Sequence, residues 1–118
     1  MYELISFYPT TDLEACRDFY GQLLGLALAR DQQTCLIFKV HQTSYLGFCQ
    51  HQETLPYHKG LIITLVTADV DGIYQRFKTQ GIMMEEVPKL NEYYGIYHFF
   101  ARDPNGYRLE IQRFLEPL

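Results

Sequence analysis

His98 and Glu110 are the residues whose type and setting point most directly to chemistry in this 118-residue chain. Ile96, His98 and Phe100 alternate with Tyr97, Phe99 and Ala101, and Arg108, Glu110 and Gln112 alternate with Tyr107, Leu109 and Ile111. That two-residue period is the one of β-strands, whose successive side chains point to opposite faces. Between the runs lies Asp103-Pro104-Asn105-Gly106, a tight-turn sequence in which Pro presets its own φ and Asn and Gly tolerate turn conformations. Paired as a hairpin, the runs bring His98 and Glu110 near each other on one face. An imidazole beside a carboxylate can serve as general acid or base, the carboxylate holding one tautomer. The same pair can equally be a structural hydrogen bond or a recognition dyad for a polar ligand, and Arg108, Glu110 and Gln112 can be a wet sheet face.

Other reactive side chains carry less signal. His41 and His51 fall in polar, turn-like stretches and His58 lies four residues before Ile62; lone loop histidines are mostly solvated. Cys16 falls on an apolar helical stripe, and Cys35 and Cys49 lie in strand-like segments with no partner identifiable from sequence. Three cysteines without a C-x-x-C motif do not suggest a disulfide framework or a zinc knuckle, so a reducing cytoplasm is the expected location. No Gly-x-Ser-x-Gly elbow or phosphate-cradling glycine loop occurs.

These groups must be held by a small domain with its own core. Hydrophobic residues make up 47% of the chain and charged ones 20%, enough apolar area to exclude disorder. The formal charge of −4, with no basic run, argues against nucleic acid as a partner. No apolar run approaches the length of a membrane span, and the chain begins with strand-like residues rather than a leader. Ten Tyr and eight Phe with no Trp, several of them between Tyr93 and Phe100, fit either sheet core or an aromatic pocket.

Periodicity then orders the elements. Tyr2 to Tyr8 reads as a strand, and Thr11-Asp12-Leu13-Glu14 has the form of a capping box that opens a helix. Leu13, Cys16, Tyr20 and Leu23 recur at helical steps, and Gly25 sits where a left-handed cap belongs. Strand-like pieces follow at Leu26–Arg30, Thr34–Val40 and Ser44–Gln50, and the segment from His51 to Lys59 is the expected connector. The pattern restarts with Gly60–Thr67, an apolar run expected of a strand covered on both faces. A helix follows from Asp69 to Gly81, with strands at Ile82–Val87, Tyr94–Ala101 and Tyr107–Phe114. Superposing Asp12 on Asp69 sets Leu13 on Val70, Cys16 on Ile73 and Tyr20 on Phe77, so two βαβββ copies fit the chain.

Asp12-Leu13-Glu14 leading to Phe19-Tyr20 and Leu24-Gly25-Leu26, with Asp103-Pro104-x-Gly106-x-x-x-Glu110 near the end, resembles the vicinal oxygen chelate superfamily of glyoxalases, bleomycin-resistance proteins and extradiol dioxygenases. The resemblance runs over nearly the whole chain. It implies an α+β fold of two βαβββ modules forming cupped mixed sheets, one domain over 1–118 with modules at about 1–50 and 60–118 and a linker at about 51–59. It also implies a small-molecule site, often completed by dimerisation. Family enzymes hold a divalent metal through a first-strand histidine of each module and a last-strand glutamate. Here the two histidine positions are Ile5 and Ile62, and only Glu110 matches. One carboxylate cannot hold such a metal tightly, so no metal ligand and no cofactor is expected. The resemblance turns the His98 and Phe100 face toward the cup, lined by Ile5, Phe7, Ile62, Thr64, Phe100 and Arg108 with Tyr93 and Tyr94 near its rim. Two functions follow: a metal-independent homodimeric protein binding a flat or amphipathic organic molecule, or a lyase or dioxygenase-like enzyme that either holds a metal through Glu110 and noncanonical ligands such as His98 or works without metal through a His98 and Glu110 acid–base pair.

Overall fold

The computed structural model describes residues 1–53 and 59–118. The connector expected over 51–59 therefore falls partly, and His58 wholly, outside the described residues. The chain divides into two compact units, Met1–Tyr57 and His58–Leu118.

The first unit contains β1 (Leu4–Thr10), α1 (Leu13–Cys16) running on as a π-helical stretch (Arg17–Leu23), β2 (Ala27–Asp31), β3 (Cys35–His41) and β4 (Ser44–Gln50). Its four strands form a mixed sheet in the order β1-β4-β3-β2, with β1 parallel to β4 and the other pairs antiparallel. The helix begins one residue later than the capping-box reading places it. Asp12, not Thr11, is the cap: its carboxylate accepts from the Ala15 amide at 3.1 Å, satisfying a donor that the first turn leaves free. Widening to π winding after Cys16 keeps Phe19 and Tyr20 on the buried side. Gly25, at φ +76°, supplies the left-handed residue that ends it. Tyr20 stacks on Phe48 at 4.6 Å, and Phe38 and Leu36 complete this helix-facing core.

The second unit repeats the order: β5 (Ile62–Val66), α2 (Val70–Thr79), β6 (Lys89–Asn91), β7 (Ile96–Arg102) and β8 (Arg108–Phe114). Its sheet runs β5-β8-β7-β6, again with the first and last strands parallel. Asp69 caps α2 as Asp12 caps α1, accepting from the Gly72 amide at 3.0 Å. Phe77 meets Phe99 edge-on at 5.9 Å over fully buried Leu109 and Ile111. The turn after β7 is built around buried Asp103, whose carboxylate accepts from the amides of Asn105 and Tyr107.

Three expectations are corrected. Ile82–Val87 is not a strand; only Met84 makes an isolated bridge, to Ala101, and the pairing strand β6 starts after Pro88, which has no amide hydrogen for a ladder. Gly60–Thr67 is not covered on both faces: β5 is an edge strand that buries Ile63 and leaves Ile62 43% exposed. Cys35 and Cys49 are not isolated thiols but directly opposed residues of β3 and β4, Cα atoms 4.1 Å apart, joined as a disulfide. Their alignment depends on a register shift between Lys39 and His41, which composition does not reveal. Among the described residues no helix is long and apolar enough to cross a membrane.

Candidate functional site

The register of the second sheet places its chemistry. Strands β7 and β8 oppose His98 to Gln112, Phe100 to Glu110 and Arg102 to Arg108, while β5 sets Thr64 beside Glu110 and Ile62 beside Arg108. Directly opposed residues share a face. Phe99, Ala101, Leu109 and Ile111 therefore turn toward α2, and His98, Phe100, Glu110 and Gln112 turn away from it, onto a concavity of about 510 Å³. Its volume lies in the range of small-molecule pockets, roughly 300–1,000 Å³. Ile62, Ile96, Phe100, Phe114 and Tyr94 supply apolar walls, with Asn91 and Arg108 at other points of the lining.

Glu110 is the hub of the polar floor. Its Oε1 accepts from the Thr64 hydroxyl at 2.8 Å, and its Oε2 lies 2.7 Å from His98 Nδ1. An ionised carboxylate only accepts, so with Glu110 ionised this contact puts a proton on Nδ1, and in the neutral imidazole Nε2 is then an acceptor. His98 Nε2 has no protein partner among the described residues, and neither does the side-chain amide of Gln112, itself only 8% exposed. Since no fully buried side-chain nitrogen or oxygen among the described residues lacks a partner, both groups are reached by solvent through the concavity.

Arg108 forms one wall. Its guanidinium lies 3.6 Å over the Phe100 ring, and its Nε and Nη2 donate to the two carboxylate oxygens of Glu85 at 2.8 and 2.9 Å. These hydrogen bonds hold the Glu85 carboxyl below its ordinary pKa and raise that of Arg108. A smaller recess of about 120 Å³ between Glu85, Lys89, His98 and Arg108 adjoins the same wall.

The hairpin parity thus places His98, Glu110, Phe100, Arg108, Ile62 and Tyr94 around one concavity, with Thr64 bonded to Glu110 beneath them. Tyr93 does not line it; it is 88% exposed and meets Tyr94 edge-on at 4.8 Å. Ile5 and Phe7 belong to the first unit, where Phe7 lies over Gly47 so closely that a Cβ there would sit 2.4 Å from its ring. Glu85 and Phe114 were not anticipated. The parity of β8 extends to Phe114, but nothing local in sequence ties Glu85 to Arg108, 23 residues away.

The residues present do not fit the divalent metal that the resemblance implies. Ile5 and Ile62 offer no donor atom, both Glu110 oxygens are already engaged, and the described residues include no group of three or more His, Cys, Asp or Glu able to hold a metal.

A family model described as Glyoxalase/Bleomycin resistance protein/Dioxygenase superfamily matches residues 5–111. Among solved structures, a possible glyoxalase from Bacillus cereus is similar over 94% of this chain and 97% of its own, with 23% identity and a TM-score of 0.76. A glyoxalase/bleomycin resistance protein from Albidiferax ferrireducens T118 aligns over 96% and 97% of the two chains, with 17% identity and a TM-score of 0.77. Lactoylglutathione lyase from Agrobacterium tumefaciens aligns over 93% and 91%, with 21% identity and a TM-score of 0.74. At these identities the likeness is one of fold. No curated protein sequence matches the chain significantly.

Proposed function

This chain belongs to the Glyoxalase/Bleomycin resistance protein/Dioxygenase superfamily, and on that premise we propose that it binds a small, planar or amphipathic organic molecule without a metal. The observation that carries this reading is the concavity of the second unit, where aromatic and aliphatic walls surround a few polar groups and where Ile62 stands in place of a metal donor. Burial and stacking supply affinity in such a site, and the polar floor supplies orientation. A homodimer belongs to the same reading, supported by the exposed apolar side chains of the edge strands, Leu4 at 64% and Val66 at 57%. A cytoplasmic location is proposed with it; cell fractionation with immunodetection of the protein tests that, recovery in the cytoplasmic fraction being expected. Isothermal titration with a panel of planar aromatic compounds in the presence of EDTA tests the binding itself. Saturable binding, weakened at least tenfold in Phe100→Ala and unchanged by the chelator, is expected; absence of binding across the panel would remove the proposal.

One observation favours a second reading. His98 is held by Glu110 and opens Nε2 to the concavity, the arrangement an acid–base lyase needs to take a proton beside a substrate carbonyl. That reading requires turnover that collapses in both His98→Ala and Glu110→Gln; turnover that survives either change excludes it.

A further inference from the structure

We propose that the ligand presents a lactam edge, a ring N–H beside a carbonyl, to His98 and Gln112, and that it carries no net negative charge; this rests on the binding role proposed above. The hydrogen-bonding polarity of the floor is set by the protein. Thr64 and His98 both donate to Glu110, so Nε2 of a neutral His98 is left as a lone-pair acceptor facing the concavity. Gln112 is the direct cross-strand neighbour of His98 on the same face, which puts the two side chains about 4.5–5.5 Å apart at Cβ. Its amide is more than nine-tenths buried and without a protein partner among the described residues. A planar group that brings an N–H to Nε2 and a carbonyl to the Gln112 NH₂ satisfies both sites at once. A purely apolar ligand would bury both unpaired, which is costly.

Charge at the site narrows the class. Each permanent cation near the floor already has a carboxylate: Arg108 is bonded twice to Glu85, Arg102 lies 3.7 Å from the same carboxylate, and Lys89 is paired with Glu86, while Glu110 is taken by the neutral His98. Three carboxylates therefore face three permanent cations, so a carboxylate or phosphate ligand would meet no unpaired positive charge among the described residues. The guanidinium of Arg108 instead lies flat on Phe100, extending a planar surface on which a neutral heteroaromatic ring can stack.

Carbostyril, a neutral planar bicyclic lactam, is the probe. Its N-methyl derivative lacks the donor, its O-methyl isomer lacks both the donor and the carbonyl, and quinoline-2-carboxylate carries a negative charge. Affinities are measured by isothermal titration for wild type, His98→Phe, Gln112→Leu and Gln112→Glu, with thermal melts to establish that each variant is folded. Carbostyril is expected to bind wild type about ten- to a hundredfold more tightly than the other three compounds. That advantage over the N-methyl compound should vanish in His98→Phe, and carbostyril should weaken in both Gln112 variants, because a carboxylate cannot donate to the carbonyl. Equal affinities for all four compounds, unchanged in the variants, would overturn the lactam assignment while leaving the apolar pocket standing. No binding of any of them to wild type would overturn the assignment together with the pocket reading on which it rests.

Discussion

Carrying the Asp12 and Asp69 equivalence through the two ladders sets Gly47 of β4 against Glu110 of β8, and Cys35 and Cys49 against His98 and Gln112. The same positions of one topology are thus filled in opposite ways. In the second unit they hold a carboxylate, an imidazole and an amide around a concavity. In the first they hold a disulfide and a glycine, on which the Phe7 ring lies. The helix-facing sides, by contrast, are alike: fully buried Tyr20 and Phe77 take equivalent positions and each packs an aromatic ring of its own sheet. Packing on the helix side is what builds the fold, so both copies keep it. The other face is free to diverge, and one copy gathers polar side chains there while its counterpart carries an aromatic ring over a glycine and a covalent bridge.

The likeness of the cores predicts the largest effects. Tyr20→Ala and Phe77→Ala should each cost about 3–5 kcal/mol in denaturant unfolding; a variant that loses less than about 1 kcal/mol would show that the two helix-facing cores are not equivalent. Next comes the bridge. Replacing Cys35 and Cys49 together by alanine removes a cross-link over a sequence separation of 14, worth about 3 kcal/mol for a loop of this size. Hydrogen exchange should quicken in β3 and β4, and equal quickening in β7 and β8 would contradict a contrast between the units.

Gly47→Ala places a Cβ in the space of the Phe7 ring and should cost about 1–3 kcal/mol. The cost should fall away when Phe7, already 51% exposed, is also alanine. A double-mutant cycle without coupling would show that the ring does not need the glycine. The smallest effect is electrostatic. Hydrogen bonds from Arg108 hold Glu85 below its ordinary value near 4.5, so the folded-state pKa is the lower one. The stability this contributes is present above the ordinary value and is lost as pH falls through the depressed one. Both side chains are about a third exposed, so solvent screening limits the contribution to under about 1 kcal/mol. Between pH 5 and 3 Glu85→Gln should lose stability less steeply than wild type, and parallel curves would remove the pair from the account.

Much of this arrangement was legible in the sequence because it is periodic. Alternation in Ile96–Ala101 and Tyr107–Gln112, joined by a turn sequence, was enough to bring His98 to Glu110. The strand at Ser44–Gln50 is bounded by polar clusters and matches residue for residue. What escaped had no periodic signature. The apolar stripe Leu13, Cys16, Tyr20 is compatible with α and π winding alike, and the π-helical stretch is where they part. Strand β6 is three residues with one apolar side chain between Lys89 and Asn91, and Pro88 hides its start. The Cys35–Cys49 bridge needs a register set by an irregularity near Lys39, and Glu85 finds Arg108 only through the fold.

In the proposed function an organic ligand, not a metal, occupies the second unit's concave face. Amide NMR of labelled protein, followed first through Zn²⁺ addition and then, in EDTA, through addition of carbostyril with naphthalene, tests it most directly. Zn²⁺ should leave β7 and β8 unmoved, and the organic compounds should shift the amides of His98, Glu110 and Gln112 most. A saturable one-equivalent Zn²⁺ shift centred on Glu110 and abolished in Glu110→Gln, with no response to the organic compounds, would contradict it.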